Sequence, residues 1–224
     1  MTSAINVTTP DGTCGPWSIE SFEITKEGAD SFNLRLAFQG MPQHHYAVPG
    51  KYKKLMHKDR GVVMSNTPME VRTNTAFINA AKGHVLINGL GLGMVLHAIM
   101  DKPEVTKVTV VELDLDVIAL TAPHFREHIE SGRLHIINAD CFKHVPPKGE
   151  RYDVVWHDIW DTISDENLFE MTKLRLKYAK RTKLQLCWAE ADCKSMRASI
   201  DALLRLNGKT YKGFREFLKE RGDI

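Results

Sequence analysis

From residue 84 onward, the chain alternates short apolar runs with longer amphipathic stretches. The runs have the length of strands, which are predicted at 84–88, 107–112, 133–138, 152–158 and 183–189. The stretches have helical spacing, which predicts helices at 93–101, 114–129, 164–180, 190–206 and 210–220. Strands separated by helices form βαβ units and pair into a parallel sheet. We therefore expect an α/β protein with a Rossmann-like, doubly wound, mostly parallel sheet of about five strands.

The first 75 residues have a different pattern, in which apolar and polar positions alternate. Alternation over 17–25 and again over 32–38, around a turn at 26–30, predicts a β-hairpin with one buried face. A short strand is predicted at 62–65, and Pro68 begins a helix that ends before Gly83. These patterns predict a small β-rich N-terminal extension over residues 1–65 and a Rossmann-like domain over 66–224.

Composition excludes several classes of protein. The 224 residues are 43% hydrophobic and carry a net charge of only +2, so bulk charge indicates no particular partner. No apolar run reaches the roughly 18 residues of a membrane helix, and residues 1–5 lack the pattern of a secretory signal. The four cysteines are widely spaced, and the histidines form no metal-binding motif. We expect a cytoplasmic protein that binds no metal and no membrane.

The most informative motif directly follows the first strand of the predicted parallel sheet. Three glycines stand at alternate positions there: Gly89, Gly91 and Gly93. Glycine permits a sharp turn and lets a ligand lie against the backbone, where the first N–H groups of a helix are unpaired. A dinucleotide site would need G-x-G-x-x-G, but its two frames place Met94 or Leu96 at the last glycine. We predict a nucleoside-cofactor site that comprises the three glycines and Asn88.

Acidic residues follow the next two strands. Glu112 ends the second strand, where a carboxylate can accept hydrogen bonds from both ribose hydroxyls. The alternatives are a helix cap or a solvated strand end, whereas Asp114 is better explained as a helix N-cap. After the third strand, Asp140 could receive an adenine amino group, with Cys141 or Phe142 against the ring, and the alternative is an Asx turn. The cofactor-binding candidates here are Glu112, Leu113, Asp140 and Cys141.

The fourth strand ends in two carboxylates and two tryptophans. Asp158 is the first candidate for a catalytic or cation-binding acid and is also a candidate cofactor-binding residue. Asp161 is either a second catalytic acid or the N-cap of the next helix. His157 is better explained as a packed strand-end residue than as a base. Trp156 alternates with apolar core positions, so Trp160 is the better candidate for a pocket wall that contacts substrate.

The glycine pattern, followed in order by Glu112, Asp140 and Asp158, resembles the class I S-adenosylmethionine-dependent methyltransferase fold, and within it the spermidine-synthase-like branch. The resemblance covers about residues 62–190. The fourth strand of that branch ends in an Asp-Ser-Ser-Asp-Pro-like element, and residues 158–162 keep both acids while they lack the serines and the proline. The resemblance implies S-adenosyl-L-methionine as cofactor. Glu112 would then bind its ribose, Asp140 its adenine, and Asp158 would face the reacting centre, with the glycines beside the methionine part.

The segment before the glycines also has a counterpart in that branch, which places residues over the cofactor pocket there. Glu70 is therefore a candidate substrate-binding residue, and the alternative is an acid that the helix dipole favours in a first turn. The polyamine-binding residues of the branch, a Gln and a Tyr-His-Glu cluster, are not recognisable upstream of the glycines.

Transfer from a sulfonium requires two positioned reactants and an available nucleophile, often provided by a carboxylate that accepts an amine or hydroxyl proton. The leading hypothesis is a methyltransferase that acts on an unidentified small-molecule acceptor, with Asp158 at the reacting centre. One alternative is an aminopropyltransferase that uses decarboxylated S-adenosylmethionine. The other is a non-catalytic protein that binds a nucleoside or a nucleic acid through the basic residues of 51–60 and 173–183. The first 60 residues are expected to shape the acceptor site or a homodimer contact.

Overall fold

Two sheets organise the part of the chain that the structure, a computed structural model, describes, namely residues 5–213 and 215–216. The first sheet is antiparallel, with the order β1-β2-β3-β4. Its strands are β1 (Gly12–Cys14), β2 (Trp17–Ile24), β3 (Gly50–His57) and β4 (Gly61–Ser65). The predicted β-rich N-terminal extension is thereby confirmed, and β4 covers the strand predicted at 62–65.

The prediction of a second hairpin strand at 32–38 is wrong, because these residues belong to a helix, α1 (Lys26–Phe38). The hydroxyl of Thr25 accepts a hydrogen bond from the backbone N–H of Gly28 and caps the start of this helix. Both edges of β2 are already occupied, by β1 on one side and by β3 on the other. The alternating apolar residues of 32–38 therefore cannot pair with an edge of β2, and Phe38 is 85% exposed.

The remaining elements alternate in the predicted order. The helices are α2 (Pro68–Ala80), α3 (Met94–Ile99), α4 (Leu115–Thr121), α5 (Arg126–Glu130), α6 (Asn167–Tyr178) and α7 (Glu190–Leu206). The strands are β5 (Gly83–Asn88), β6 (Val105–Glu112), β7 (Leu134–Asn138), β8 (Val154–His157) and β9 (Leu184–Cys187). Of the last predicted helix, residues 211–213 and 215–216 are helical, and the rest of its second half lies outside the described residues.

The helix predicted as one piece over 114–129 is two helices in the structure. A 3-10 turn, Ala122–Phe125, separates α4 from α5 and has Pro123 in its first turn. Proline lacks the N–H that would continue the hydrogen-bond ladder, and its ring collides with the preceding turn. The apolar periodicity persists across this break, which explains why the pattern alone predicted continuity.

The second sheet is parallel, with the order β7-β6-β5-β8-β9. This confirms the predicted five-stranded parallel sheet. The chain runs outward from β5 first to one side and then to the other, so the carboxyl ends of β6, β5 and β8 border a crevice. Helices cover both faces of the sheet, and on one of them Phe77 of α2 stacks on Trp156 of β8 with ring centroids 4.9 Å apart.

The N-terminal sheet is attached to the carboxyl edge of the parallel sheet. The indole N–H of Trp17 donates to the carboxylate of Asp114, 2.7 Å away, and the thiol of Cys14 lies 3.2 Å from a carboxylate oxygen of Asp116. Asn66 connects the sheet to the chain start by donating to the carbonyl of Ile5. The antiparallel sheet thus lies over the same edge at which the strands of the parallel sheet end. The domain boundary at residue 65 stays a prediction.

Candidate active site

A cavity of about 360 Å³ opens where the carboxyl ends of β5 to β8 meet the N-terminal sheet. Most of the predicted site residues line it: Glu70, Gly89, Gly91, Glu112, Leu113, Asp140, Cys141, Asp158, Trp160 and Asp161. Two predicted residues do not. Asn88 is fully buried beneath the cavity, with its amide nitrogen 2.7 Å from the ring of His157, and Gly93 begins α3 behind the turn.

The glycine turn requires glycine for steric reasons that the structure makes explicit. Gly89, Gly91 and Gly93 have φ values of 98°, 51° and 73°, and residues that carry a side chain rarely adopt such backbone conformations. A Cβ on Gly89 would lie 1.9 Å from the backbone carbonyl oxygen of Asp158, so the turn also lets β5 and β8 approach each other. At Gly91 a Cβ would meet the sulfur of Met64 at 2.1 Å.

Glu112 accepts hydrogen bonds from the backbone of the glycine turn and of its own loop. Its carboxylate accepts hydrogen bonds from the N–H of Leu90 in the glycine turn, at 2.7 Å, and from the N–H of Asp114, at 2.9 Å. Burial raises the pKa of Glu112 above its ordinary value. Asp114 accepts from the N–H of Asp116 and caps α4, which confirms its predicted role. Glu112 therefore lines the cavity and orders the turn, while the assignment to a ribose stays a prediction.

At the end of β7, Asp140 forms the Asx turn that the sequence left as an alternative. Its carboxylate accepts from the N–H of Phe142 at 2.8 Å, and this bond lowers the pKa of Asp140. Cys141 is buried beside it and Phe142 is 37% exposed, and all three line the cavity. The turn leaves an acidic side chain and a ring at the cavity wall, so it does not conflict with the predicted role in binding adenine.

Asp158 and Glu70 form a carboxyl pair in the cavity. Glu70 lies in the first turn of α2 and accepts hydrogen bonds from the backbone N–H and the hydroxyl of Ser65, at 2.7 and 2.9 Å. Burial raises the pKa of Glu70 to about 7. Burial and the neighbouring charge of Glu70 raise the pKa of Asp158 to about 7, although the indole N–H of Trp156 opposes the shift. Both carboxyls therefore keep a substantial protonated fraction near neutral pH.

The other residues at the end of β8 have separate roles. Asp161 forms an ion pair with Arg60 at 3.2 Å, and since α6 begins only at Asn167, its predicted alternative role as a helix cap is wrong. Trp160 lines the cavity and donates to Glu170 at 2.7 Å. His157 is fully buried, as expected for a packed residue, and burial lowers its pKa to about 4.

Sequence reasoning missed several of the residues that complete the cavity. These include Trp17 and Arg60 from the N-terminal sheet, and Trp188, which directly follows β9. The sulfur of Met64 accepts a hydrogen bond from the N–H of Leu92 at 3.2 Å, so β4 contacts the glycine turn directly. The segment 63–70 was expected over the pocket, but nothing local in the sequence distinguishes Trp17 or Arg60 from ordinary strand and turn residues.

The raised pKa of Asp158 predicts how stability depends on pH. Its pKa is about 7 in the folded protein against an ordinary value of 3.8, so between about pH 4 and pH 7 the folded state retains a proton that the unfolded chain has released. The free energy of unfolding should therefore fall as pH rises through this window. We expect Asp158→Asn, which cannot ionise, to be more stable than the wild type at pH 8 and equal to it near pH 4. Urea denaturation at both pH values measures this, and a difference independent of pH would contradict it.

Three further findings concern the remaining predictions. Within residues 5–213 and 215–216, no helix is both long and apolar enough to cross a bilayer. In the same residues, no group of three or more His, Cys, Asp or Glu side chains is arranged to hold a metal ion. Several basic residues of 51–60 and 173–183 make contacts inside the protein: Lys53 with Asp11, Lys54 with Glu20, Arg175 with Glu190, and Arg181 with the carbonyls of Pro147 and Glu150. Nucleic-acid binding stays a prediction.

Comparison with known proteins gives a family match and distant structural likenesses. A family model described as "Spermine/spermidine synthase domain" matches residues 66–182. No curated protein matches the chain in sequence.

Similar solved structures include a proposed methyltransferase, yhhF, from Escherichia coli, with 15% identity, a TM-score of 0.40, and coverage of 51% of this chain and 63% of that one. The SAH-bound methyltransferase PaMTH1 from Podospora anserina has 12% identity and a TM-score of 0.41, and the match covers 53% of this chain and 49% of that one. The CcbJ methyltransferase from Streptomyces caelestis has 18% identity and a TM-score of 0.37, and the match covers 48% of this chain and 43% of that one. The chain spans less than two thirds of each of these proteins, and similarity at this level says nothing about its function.

Proposed function

This chain belongs to the spermine/spermidine synthase domain family, whose model matches residues 66–182 of its 224, and from that membership we propose an S-adenosylmethionine-dependent transferase. In finer terms we propose methyl transfer to a small amine, with Asp158 as the base. Aminopropyl transfer from the decarboxylated cofactor is the second candidate. The observation that carries the proposal is the carboxyl pair of Asp158 and Glu70, which lies in the same cavity as the glycine turn and Glu112.

The cavity and the residues that line it fit a nucleoside cofactor. The cavity volume of about 360 Å³ lies within the range of roughly 300–1,000 Å³ that is typical of small-molecule sites. The strand order places Asp140, Glu112, the glycine turn and Asp158 in succession along the crevice. In this order, Asp140 would face the adenine, Glu112 the ribose, and the glycine turn and Asp158 the sulfonium end. The bound cofactor would supply an activated methyl group at the end near Asp158.

Asp158 has the properties of a base for an amine acceptor. A carboxylate with a pKa of about 7 has a much higher proton affinity than an exposed one, yet a substantial fraction is ionised at neutral pH. Burial is the main cause of that shift, and Glu70, fixed by its two bonds to Ser65, adds to it because a second negative charge nearby disfavours ionisation. The cavity is lined by six acidic residues and one basic residue among those described, so it attracts a cationic amine before deprotonation.

Two observations separate the candidate donors. Family membership favours aminopropyl transfer, because it is the reaction that the family is named for. The absence of a recognisable Gln and Tyr-His-Glu cluster upstream of Gly89 favours methyl transfer, because these residues bind the polyamine in the branch that the sequence resembles. Calorimetric titration of the full chain with S-adenosylmethionine and with its decarboxylated form distinguishes the two. Tighter binding of the decarboxylated form would refute methyl transfer, and no binding of either would refute the proposed function.

Glu112 provides a direct test of cofactor binding. We expect Glu112→Gln to weaken the binding of S-adenosylmethionine by about 10-fold to 100-fold, since a charge-assisted hydrogen bond contributes roughly 1.5–3 kcal/mol. The Gln side chain retains one acceptor oxygen for the N–H of Leu90, so the turn should keep its structure. Calorimetry measures the affinity, and Glu127→Gln, on the exposed surface of α5, is the matched control. Equal affinities for the two variants would show that Glu112 makes no contact with the cofactor.

A further inference from the structure

Arg60 is the one basic side chain among the described residues that line the cavity. It follows β3 in the tight turn before β4, and its backbone N–H donates to the carbonyl of His57 at 3.2 Å. The turn is anchored again by Lys58, whose N–H donates to the carbonyl of Pro16 at 2.9 Å. Arg60 therefore projects from a well-supported turn toward the opening of an acidic cavity.

The guanidinium of Arg60 is oriented from both sides of the crevice. It stacks over the ring of Trp17 at 4.8 Å, and Trp17 is hydrogen-bonded to Asp114, which follows β6. It is also paired with Asp161, which follows β8. Through these two contacts Arg60 is connected to the segments that follow β6 and β8, the two neighbours of β5 in the sheet. Because these contacts already order the long side chain, ligand binding loses less conformational entropy.

Most of the hydrogen-bonding capacity of this guanidinium is free. The bond to Asp161 uses one of the five N–H donors of arginine, and no other described residue accepts a hydrogen bond from the side chain of Arg60. A stacked, planar guanidinium with free donors is suited to bind a carboxylate with two parallel hydrogen bonds. The remaining charged residues of the cavity lining are acids, so a carboxylate in this cavity has no other described side chain to neutralise it.

We propose that Arg60 binds the α-carboxylate of the amino-acid part of the cofactor and thereby selects the carboxylated form over the decarboxylated one. This inference rests on the proposed function and sharpens it, since it assigns the choice of donor to a residue of the N-terminal sheet. The adenosine part is assigned to the β7 and β6 side of the crevice, so the amino-acid part extends toward β8, which is where Asp161 pairs with Arg60. Arg60 acts in binding and takes no part in proton transfer.

The test compares two nucleosides that differ by one carboxylate: S-adenosylhomocysteine and its decarboxylated analogue, S-adenosyl-3-thiopropylamine. Calorimetry on the full chain should show that the wild type binds S-adenosylhomocysteine at least about 10-fold more tightly, since a hydrogen bond to a charged group contributes roughly 1.5–3 kcal/mol. Arg60→Gln should remove this preference by weakening only the carboxylated ligand. Asp161→Asn breaks the same ion pair but keeps Arg60 and its stack on Trp17, so it should keep the preference.

Each other outcome overturns a distinct statement. If Arg60→Gln keeps the wild-type preference, or if Asp161→Asn loses it to the same extent, the ion pair is only structural and the inference is wrong. If the wild type prefers the decarboxylated analogue, the inference is also wrong and aminopropyl transfer gains support. If the wild type binds neither nucleoside, the proposed function itself fails. Thermal unfolding of both variants shows whether a loss of affinity reflects a loss of structure.

Discussion

Replacing Asp158 by Asn is expected to lower kcat by at least about 100-fold, because a positioned general base contributes roughly 10²–10⁴-fold to the rate. The affinity for S-adenosylmethionine should change little, since the amide has nearly the same shape and the proposed adenosine contacts come from Glu112 and Asp140. The measurement is release of S-adenosylhomocysteine in the presence of a panel of small amines, with binding followed separately by calorimetry. A variant that keeps a tenth or more of wild-type turnover would show that Asp158 is not the base.

Two companion measurements distinguish a base from an acid that only supplies charge. Asp161→Asn removes a carboxylate from the same loop, but one that Arg60 already neutralises, so its turnover should fall much less. The pH profile of wild-type kcat/KM should rise through about pH 7, where Asp158 loses its proton. Burial is the main cause of this raised pKa and remains in Glu70→Gln, but the variant loses the contribution of the neighbouring charge, so the profile should shift to lower pH. A profile that is unmoved in Glu70→Gln would mean that the two carboxyls do not interact.

Replacing Gly89 by Ala is expected to destabilise the protein by about 3 kcal/mol or more. Two causes add: strain of a side chain at positive φ, which costs on the order of 1–3 kcal/mol, and displacement of the backbone at the end of β8. The second cause follows from the distance of 1.9 Å between an added Cβ and the carbonyl oxygen of Asp158. Since the N–H of Asp158 also donates to the carbonyl of Asn88 at 2.9 Å, moving these backbones apart shifts Asp158 and should weaken both cofactor binding and turnover.

Gly149 offers a matched control for this substitution. It also has a positive φ, 84° against 98° for Gly89, but a Cβ at Gly149 would meet no atom within 4 Å. Gly149→Ala should therefore show the cost of backbone strain alone, about 1 kcal/mol, and leave cofactor affinity unchanged. Urea denaturation of both variants at one pH gives the difference. Equal destabilisation would mean that the approach of β5 to β8 contributes nothing.

The parallel half of the protein was predictable because its information is local. Strands buried on both faces contain short, mostly apolar runs, such as 85–87 in β5, 108–111 in β6 and 154–156 in β8, and amphipathic helical stretches separate them. The glycines at 89 and 91 and the acids at 112, 140 and 158 were predictable as a group for a related reason. Parallel strands end at a common edge, so residues at successive strand ends must lie near one another whatever the details of packing.

Errors arose where an element depends on what packs against it. The alternation at 32–38 fits a strand, but both edges of β2 are occupied, and the capped segment becomes α1 instead. Asn88 precedes the glycine turn in sequence, yet its side chain points into the sheet toward His157 because successive strand residues face opposite sides. For Asp161, the cap predicted from its distance to the next helix is replaced by an ion pair with a distant arginine.

The sequence by itself determined the parallel sheet, the position of the glycine turn, and the acids that follow β6, β7 and β8, because each is encoded by a short segment and by the shared edge of the strands. Only the tertiary structure decided which residues complete the cavity from above. Trp17 lies 97 positions from Asp114 and Arg60 lies 101 positions from Asp161, so no local pattern relates them. Their contacts exist because the antiparallel sheet lies across the carboxyl edge of the parallel one. That arrangement follows from the burial of whole surfaces, and among the residues that the structure describes it places one cation with six acids in the cavity lining.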